Sequence, residues 1–466
     1  METAYEPGGS SLFKTLPYIV FFLLVGAIGI QGAQSKESDS MPRQAADEKI
    51  QSEIFQQADE VFGEVSRLRG LSIKSPVKKK MADRFFFREY YSRLLREQYP
   101  PEKKRATEKA YILLGFLPEK SDLIETYLDS FLKVVQGLYD PSSKTLYIAD
   151  WIDPKKSEEV LSHELDHALQ DQYFDLQAFL DKGKNASMDA QFARSSLMEG
   201  EANAIALNYS LQEKGSDFTK LVNIADWTRL NNLFEESGQK AFGRKAVLND
   251  VINFPYVYGA AFLQKYIKAY GWPGMKSLFE HPPSSTHQIM HPDAFFPHRQ
   301  NPIRVRVEDL SASALNKYKL IWENTFGEYG LTLLLRQYVP EKEAEKSVLG
   351  WRGDRIQIYE SGDRRQSVLT GYIIFNKEGQ AEDFFKCYRE LLGKKYDLDI
   401  FRRSDDTIHW ATIKGSDLEV YAERFGRRVV FIEGTEGKNT SRVRAVLWKV
   451  VQPSKSGGKG RGARDD

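Results

Sequence analysis

His163 and His167, in the run Ser162-His163-Glu164-Leu165-Asp166-His167-Ala168, are the residues whose types and spacing best permit chemistry. On a helix, residues four apart stand one above the other on one face. Two neutral imidazoles placed this way can share one Zn²⁺, and Glu164 between them can reach a water on the metal's open position. Zinc lowers the pKa of such a water toward about 7, and a nearby carboxylate takes and returns its proton. The chain has seven histidines in 466 residues. At that composition His-Glu-x-x-His arises by accident in roughly one chain per hundred. The bland alternative is an exposed helix with two solvated histidines.

The flanking residues favour a helix of about 18 residues. Asp153-Pro154 offers an acidic cap followed by proline at the first helical position, and Glu158 and Glu159 suit its first turns. A catalytic zinc needs a third protein ligand. Glu199 and Glu201, in Ser195-Ser196-Leu197-Met198-Glu199-Gly200-Glu201-Ala202-Asn203, are the candidates downstream. Asp171, four residues past His167, could accept a hydrogen bond from a ligand histidine or could cap the helix end.

These residues together resemble the gluzincin metallopeptidases, which include the thermolysin-like and aminopeptidase N-like families. In those, a Glu from a following helix completes the metal site. Glu199-Gly200-x-Ala202 resembles the aminopeptidase-like Asn-Glu-Gly-x-Ala stretch. The resemblance therefore implies Zn²⁺ on His163, His167 and Glu199, with Glu164 as general base. It also implies that Asn203, four past Glu199, orients a ligand imidazole. Tyr258, ahead of Gly259, corresponds to the family's oxyanion-steadying tyrosine, with Tyr256 as the alternative. Thermolysin-like enzymes use a histidine donor, for which His291 is the candidate. The hairpin Gly137–Asp140 and Thr145–Ile148 stands where gluzincins bind substrate as an added strand, which points to the backbone at Leu138-Tyr139.

The chain also resembles a group of uncharacterised secreted bacterial proteins. They share His-Glu-x-x-His-Ala-Leu-Gln-Asp-Gln, Glu-Gly-x-Ala and a later Ser-Thr-Glu-Gln-x-x-His-Pro. Here His287 stands where that Glu is usual, and Gly350-Trp351-Arg352-Gly353-Asp354-Arg355 is another shared stretch.

The rest of the chain must position this site. The expected fold class is α+β: a mainly helical module over 47–136, a zincin-like catalytic domain over 137–300 and a separate α+β domain over 301–452. In the helical module Ile50, Ile54, Ala58 and Val61 form an apolar stripe, and Lys78–Tyr91 reads as an amphipathic helix packing its aromatics. In the last part Leu320–Tyr338 reads as helix, followed by alternating strands and helices on one side of a sheet. Residues 1–33 read as a signal peptide or an uncleaved membrane anchor, with Lys14 before the apolar run Leu16–Ile30. Residues 34–46 read as a linker and 453–466 as a disordered tail.

Composition narrows function further. Net charge is +1, which makes no electrostatic case for nucleic acid. The single Cys387 excludes an intramolecular disulfide framework and a cysteine-based zinc site. The expected partner is a peptide or protein substrate, cleaved internally rather than from its N-terminus, by a secreted or cell-envelope enzyme. The rivals are a non-catalytic zinc- or peptide-binding envelope protein and a structural protein with an accidental motif.

Overall fold

The structure is a computed structural model that describes residues 43–153, 157–183, 186–212, 214–222, 224, 244–398, 402–405 and 408–450. The expected signal segment, the linker as far as residue 42, the tail and Pro154 lie outside these residues, while residues 43–46 of the expected linker are helical. One further expectation is corrected. A membrane tether was one reading of the chain, and among the described residues no helix is long and apolar enough to cross a membrane.

The architecture is α+β and divides into two compact units, one of residues 1–186 and 190–299, the other of 187–189 and 300–466. The first unit is built on a long helix α1 (Arg43–Arg69). Its buried stripe is Ile54, Ala58, Val61 and Val65, packed against Val160, Leu161, Leu165 and Leu169. The stripe starts one turn later than the spacing suggests, because Ile50 is exposed.

Next comes a strand where a helix was expected. β1 (Lys78–Ala82) alternates in burial and runs parallel to β3 (Thr145–Ala149). Lys78 and Lys80 are exposed while Lys79 between them is turned in and pairs with Asp59, so the period is two rather than helical. β2 (Gly137–Asp140) pairs antiparallel with β3 and forms the other edge, giving the order β1-β3-β2. Between β1 and β2 lie α2 (Arg84–Gln98), α3 (Pro101–Leu113) and α4 (Leu123–Phe131). Asp83 and Asp122 cap α2 and α4 by accepting from the amides of Phe86 and Glu125. Then follow α5 (Ser157–Phe174), α6 (Leu176–Gly183), α7 (Met188–Gln212), α8 (Arg244–Tyr270), α9 (Met275–Glu280) and α10 (Thr286–Met290).

Two close approaches set the first unit's geometry. A Cβ on Gly137 would stand 2.9 Å from Val160 Cγ1 and 3.0 Å from Glu164 Cγ, so glycine lets β2 lie against α5. A Cβ on Gly259 of α8 would stand 2.1 Å from the Ser196 carbonyl of α7, and one on Gly200 would stand 2.4 Å from the Gly259 carbonyl carbon. The two helices therefore cross backbone to backbone.

The second unit carries a seven-stranded antiparallel sheet. Its strands are β4 (Tyr318–Asn324), β5 (Trp351–Ser361), β6 (Ser367–Phe375), β7 (Arg402–Asp405), β8 (Ile408–Thr412), β9 (Leu418–Phe425) and β10 (Arg428–Glu436), in the order β4-β5-β6-β10-β9-β8-β7. The expected helix over Leu320–Tyr338 is instead β4 followed by α11 (Gly327–Arg336). α12 (Glu341–Val348), α13 (Glu378–Tyr396) and α14 (Gly437–Leu447) complete it. Helices cover both faces, not one. Val430 and Ile432 pack with Val443 and Leu447 of α14, while Phe431, pointing the other way, packs on Tyr388 of α13 with ring centroids 4.3 Å apart.

The Trp351–Arg355 stretch acquires a structural role here. Asp354 accepts from the Phe326 amide (2.8 Å), the Gly327 amide (3.0 Å) and the Trp351 indole (2.9 Å). It thereby ties β5 to the start of α11. Burial outweighs these three donors and pushes its carboxyl up to about 6 from 3.8. A carboxyl raised in the folded state stabilises fully below its unfolded pKa, and that stability is lost as pH rises through the folded one. The window is pH 4 to 6 and the effect about 3 kcal/mol. Asp354→Asn keeps the group neutral but turns an amide N–H toward Phe326. We expect the variant to be about 1–3 kcal/mol less stable at pH 4, with the gap closing by pH 7. Denaturant titrations of both chains at the two pH values check this; a gap independent of pH would refute it.

Candidate functional site

α5 places His163, Glu164 and His167 where the motif spacing requires, and its residues Val160 to Asp171 are buried throughout. α7 brings Glu199 to meet them. His163, His167 and Glu199 offer donor atoms within 4.8 Å of one another, a group that could hold a metal ion. The Nε2 atoms of His163 and His167 each lie 3.3 Å from Glu199 Oε2. Donors around a tetrahedral Zn²⁺ at about 2.0–2.2 Å stand roughly 3.3–3.5 Å apart, so the spacing suits such an ion. The hydrogen-bonding state agrees. Both ring nitrogens of His163 and Glu199 Oε2 are buried without a hydrogen-bond partner, because the short approaches are not aligned for one. Buried polar atoms left this way fit a ligand that satisfies them together.

The three side chains also act on one another's charges. Burial works against a charged His167, but the Glu199 carboxylate outweighs it and pushes the imidazole up to about 10. Burial likewise opposes the charge on Glu199, and the two histidines hold its carboxyl below the usual range.

Glu164 is held apart from this group by β2. Its Oε2 accepts from the Tyr139 amide at 2.8 Å, while Oε1 is buried without a partner. Burial pushes its carboxyl above the usual carboxylate range, despite the histidines. A carboxylate with one oxygen anchored and one free is arranged for proton transfer. β2, the strand expected to receive substrate, is an edge of its sheet, and its Tyr139 amide is the donor to Glu164.

Behind His167 stands a residue not expected in this role. Gln170 Oε1 lies 3.1 Å from His167 Nδ1. Gln170 Nε2 donates to Asp166 Oδ2 (2.8 Å) and to the Met198 carbonyl (3.0 Å). A carbonyl only accepts, so the amide nitrogen must face Met198 and the oxygen must face His167. His167 therefore donates from Nδ1, leaving Nε2 to face Glu199. Asn203 does not take this part, nor does Asp171, which accepts from Tyr139 Oη (2.8 Å), Lys144 Nζ (2.6 Å) and the Leu176 amide (3.1 Å). The other candidate ligand, Glu201, bonds to Arg69. Burial and then the Glu201 charge push the Asp166 carboxyl well above its usual range.

We expect Gln170→Leu to lower metal affinity about 10–100-fold, the range for losing a partner that orients a ligand. Competition with a chromophoric chelator measures it; affinity within twofold of wild type would show that the bond orients nothing.

The oxyanion candidates sort differently from the expectation. Tyr256 reaches the site: its ring stacks on His163 (5.8 Å, 19°), its hydroxyl is buried without a partner, and burial, then Glu199, pushes its phenol well above the usual range. Tyr258 instead stacks on Phe254 at 4.8 Å. On a helix, residues two apart face different directions, and the Gly200–Gly259 crossing decides which faces α7. His291 is not in the group formed by His163, His167 and Glu199. It follows α10 and pairs with His287, ring centroids 4.8 Å apart, because the short helix capped by Ser285 sets these two side by side. Tyr91 of α2 was read only as packing. Its hydroxyl is also buried without a partner, and after burial the charges of Glu164 and Glu199 push its phenol well above the usual range. No motif marks it; only its spacing among Phe87, Tyr90 and Leu94 on a buried face was readable.

Comparison with known proteins places one segment. No curated protein and no solved structure matches the chain. Residues 319–444, within the second unit, match a family described as Domain of unknown function (DUF8575).

Proposed function

We propose that the chain is a zinc-dependent peptidase that hydrolyses peptide bonds with Glu164 as general base. The observation that carries this reading is the buried His163/His167/Glu199 group with Glu164 beside it, one carboxylate oxygen anchored and the other unpartnered. The resemblance to gluzincins adds the same assignment, and with it a zincin-like catalytic domain. Zinc held by His163, His167 and Glu199 would supply Lewis-acid polarisation of the scissile carbonyl. Glu164 Oε1 takes a proton from the attacking water and passes it to the leaving amine. The Tyr139 amide keeps that carboxylate aimed. Gln170 holds the His167 ring, and the Tyr256 hydroxyl donates to the carbonyl oxygen as it gains charge. The apolar run Leu16–Ile30 supports export of the chain.

A second reading has its own support. His163, Glu164, His167 and Glu199 are each no more than 2% exposed. Such burial favours a metal-binding protein without turnover. Zinc content of the purified full chain, with a general peptide-cleavage assay before and after chelation, separates the two. We expect about one zinc per chain and cleavage that chelation abolishes and zinc restores. Zinc without cleavage would favour the binding protein, and no zinc uptake would refute both.

A further inference from the structure

A cavity of about 570 Å³ opens in the first unit, lined by residues from the ends of α1 and α5, from α6, and from α9 and the turn before it. That volume falls within the roughly 300–1,000 Å³ of small-molecule sites, which set a few polar groups into a mainly apolar wall. The wall here is aromatic. Tyr173, Phe174 and Trp272 line the cavity and are only partly buried. Tyr173 and Trp272 pack on the core of the unit. Phe174 stacks on Phe279 at 4.1 Å and 7°, and Trp272 meets Phe218 at 5.8 Å. These rings are therefore backed by other side chains and present a fixed apolar surface.

The polar groups are mostly cations. The Arg69 side chain lines the cavity and is 3% exposed. Its guanidinium lies over the Trp272 ring, 5.0 Å from the centroid. Nε donates to Glu201 and Nη1 to the Trp272 carbonyl (3.4 Å), while Nη2 makes no hydrogen bond among the described residues. Lys182 of α6 and Lys276 of α9 also line the cavity and are exposed. Lys276 lies 4.0 Å from Glu280, and Lys182 makes no ion pair among the described residues. Lys74 Nζ sits over the Tyr173 ring at 3.6 Å. Against these four cations stand Glu280 in the lining and Glu201 on Arg69, which leaves the cavity positive. The Arg69–Glu201 pair by itself explains how α1 is fastened to α7. It does not explain why partly exposed rings and an unpaired lysine share one cavity with the unused Nη2.

We propose that this cavity is a binding site for a small aromatic carboxylate, its ring on the aromatic wall and its carboxylate on the cations of the lining. A guanidinium and ammonium groups are the natural partners of a carboxylate, and charge-assisted bonds of this kind are stronger than neutral ones. The proposal is independent of the zinc reading, because no lining residue belongs to the His163/His167/Glu199 group.

The probe is indole-3-propionate, titrated into the full chain as purified and again after chelation, with binding followed by ligand-observed NMR. For a ligand of this size we expect a Kd on the order of 1 mM or tighter, the same with and without chelation. Lys182→Glu, a change at an exposed position, should weaken binding about tenfold and leave the thermal midpoint unchanged. The primary amide of the same acid should bind wild type about tenfold more weakly and respond less than about twofold to Lys182→Glu. Propionate, which lacks the ring, should not bind detectably. Equal affinity of the variant, or an amide as tight as the acid, would reduce the cavity to an apolar cleft and overturn the proposal. Binding lost on chelation would place the probe on the metal, and no saturation by about 10 mM would leave no site; either overturns it. Tighter binding of Gly-Gly-Gly-Trp than of the probe would make the occupant a peptide end and overturn the small-molecule assignment.

Discussion

Glu199→Ala is expected to reduce zinc from about one per chain to a small fraction at equal free metal, with affinity lowered by more than about 100-fold. Losing a mere orienting partner already costs about 10–100-fold, and Glu199 is one of three side chains that converge. The loss should be specific. Glu201, two residues on, is engaged by Arg69 and is not among the converging donor atoms, so it offers no substitute ligand. Chelator competition measures the affinity, and thermal unfolding of the metal-free variant shows whether α7 still packs. Zinc retained at wild-type affinity would mean that another group completes the site.

Glu164→Gln should separate binding from chemistry. The amide oxygen can keep the hydrogen bond from the Tyr139 amide, so the side chain holds its place and zinc content stays near one per chain. The other position becomes an N–H that cannot take a proton. Turnover is expected to fall about 10²–10⁴-fold with KM little changed, the usual range for losing a positioned base. Steady-state kinetics on a peptide that the wild type cleaves checks the split. Undiminished turnover would remove Glu164 from the mechanism. A parallel loss of zinc would instead make it part of the metal's holding.

What was legible in the sequence was what a fixed spacing encodes. The i, i+4 histidines and the hairpin before them follow from a single local period, whereas β6 and β10 are buried on both faces and show no such alternation. Gln170 was hidden because its role depends on the Met198 carbonyl of another helix, which forces the orientation of its amide. Tyr256 and Tyr258 could not be separated by spacing, since the choice lies in where α8 crosses α7. Tyr91 looked like every other aromatic of α2, and only the absence of a partner for its hydroxyl distinguishes it. Lys78–Ala82 misled through composition: three consecutive lysines suggest a helix, while the pairing with β3 makes a strand. The span Leu320–Tyr338 joined a strand and a helix into one apparent helix, because the Asp354 bonds that mark the break come from β5.

The contact between Gly200 and Gly259 bears on how much change the site tolerates. Two helices whose backbones touch have no side chains between them to slide or rearrange. A side chain added at either glycine would force α7 and α8 apart, and Glu199 and Tyr256 lie one and three residues from that contact.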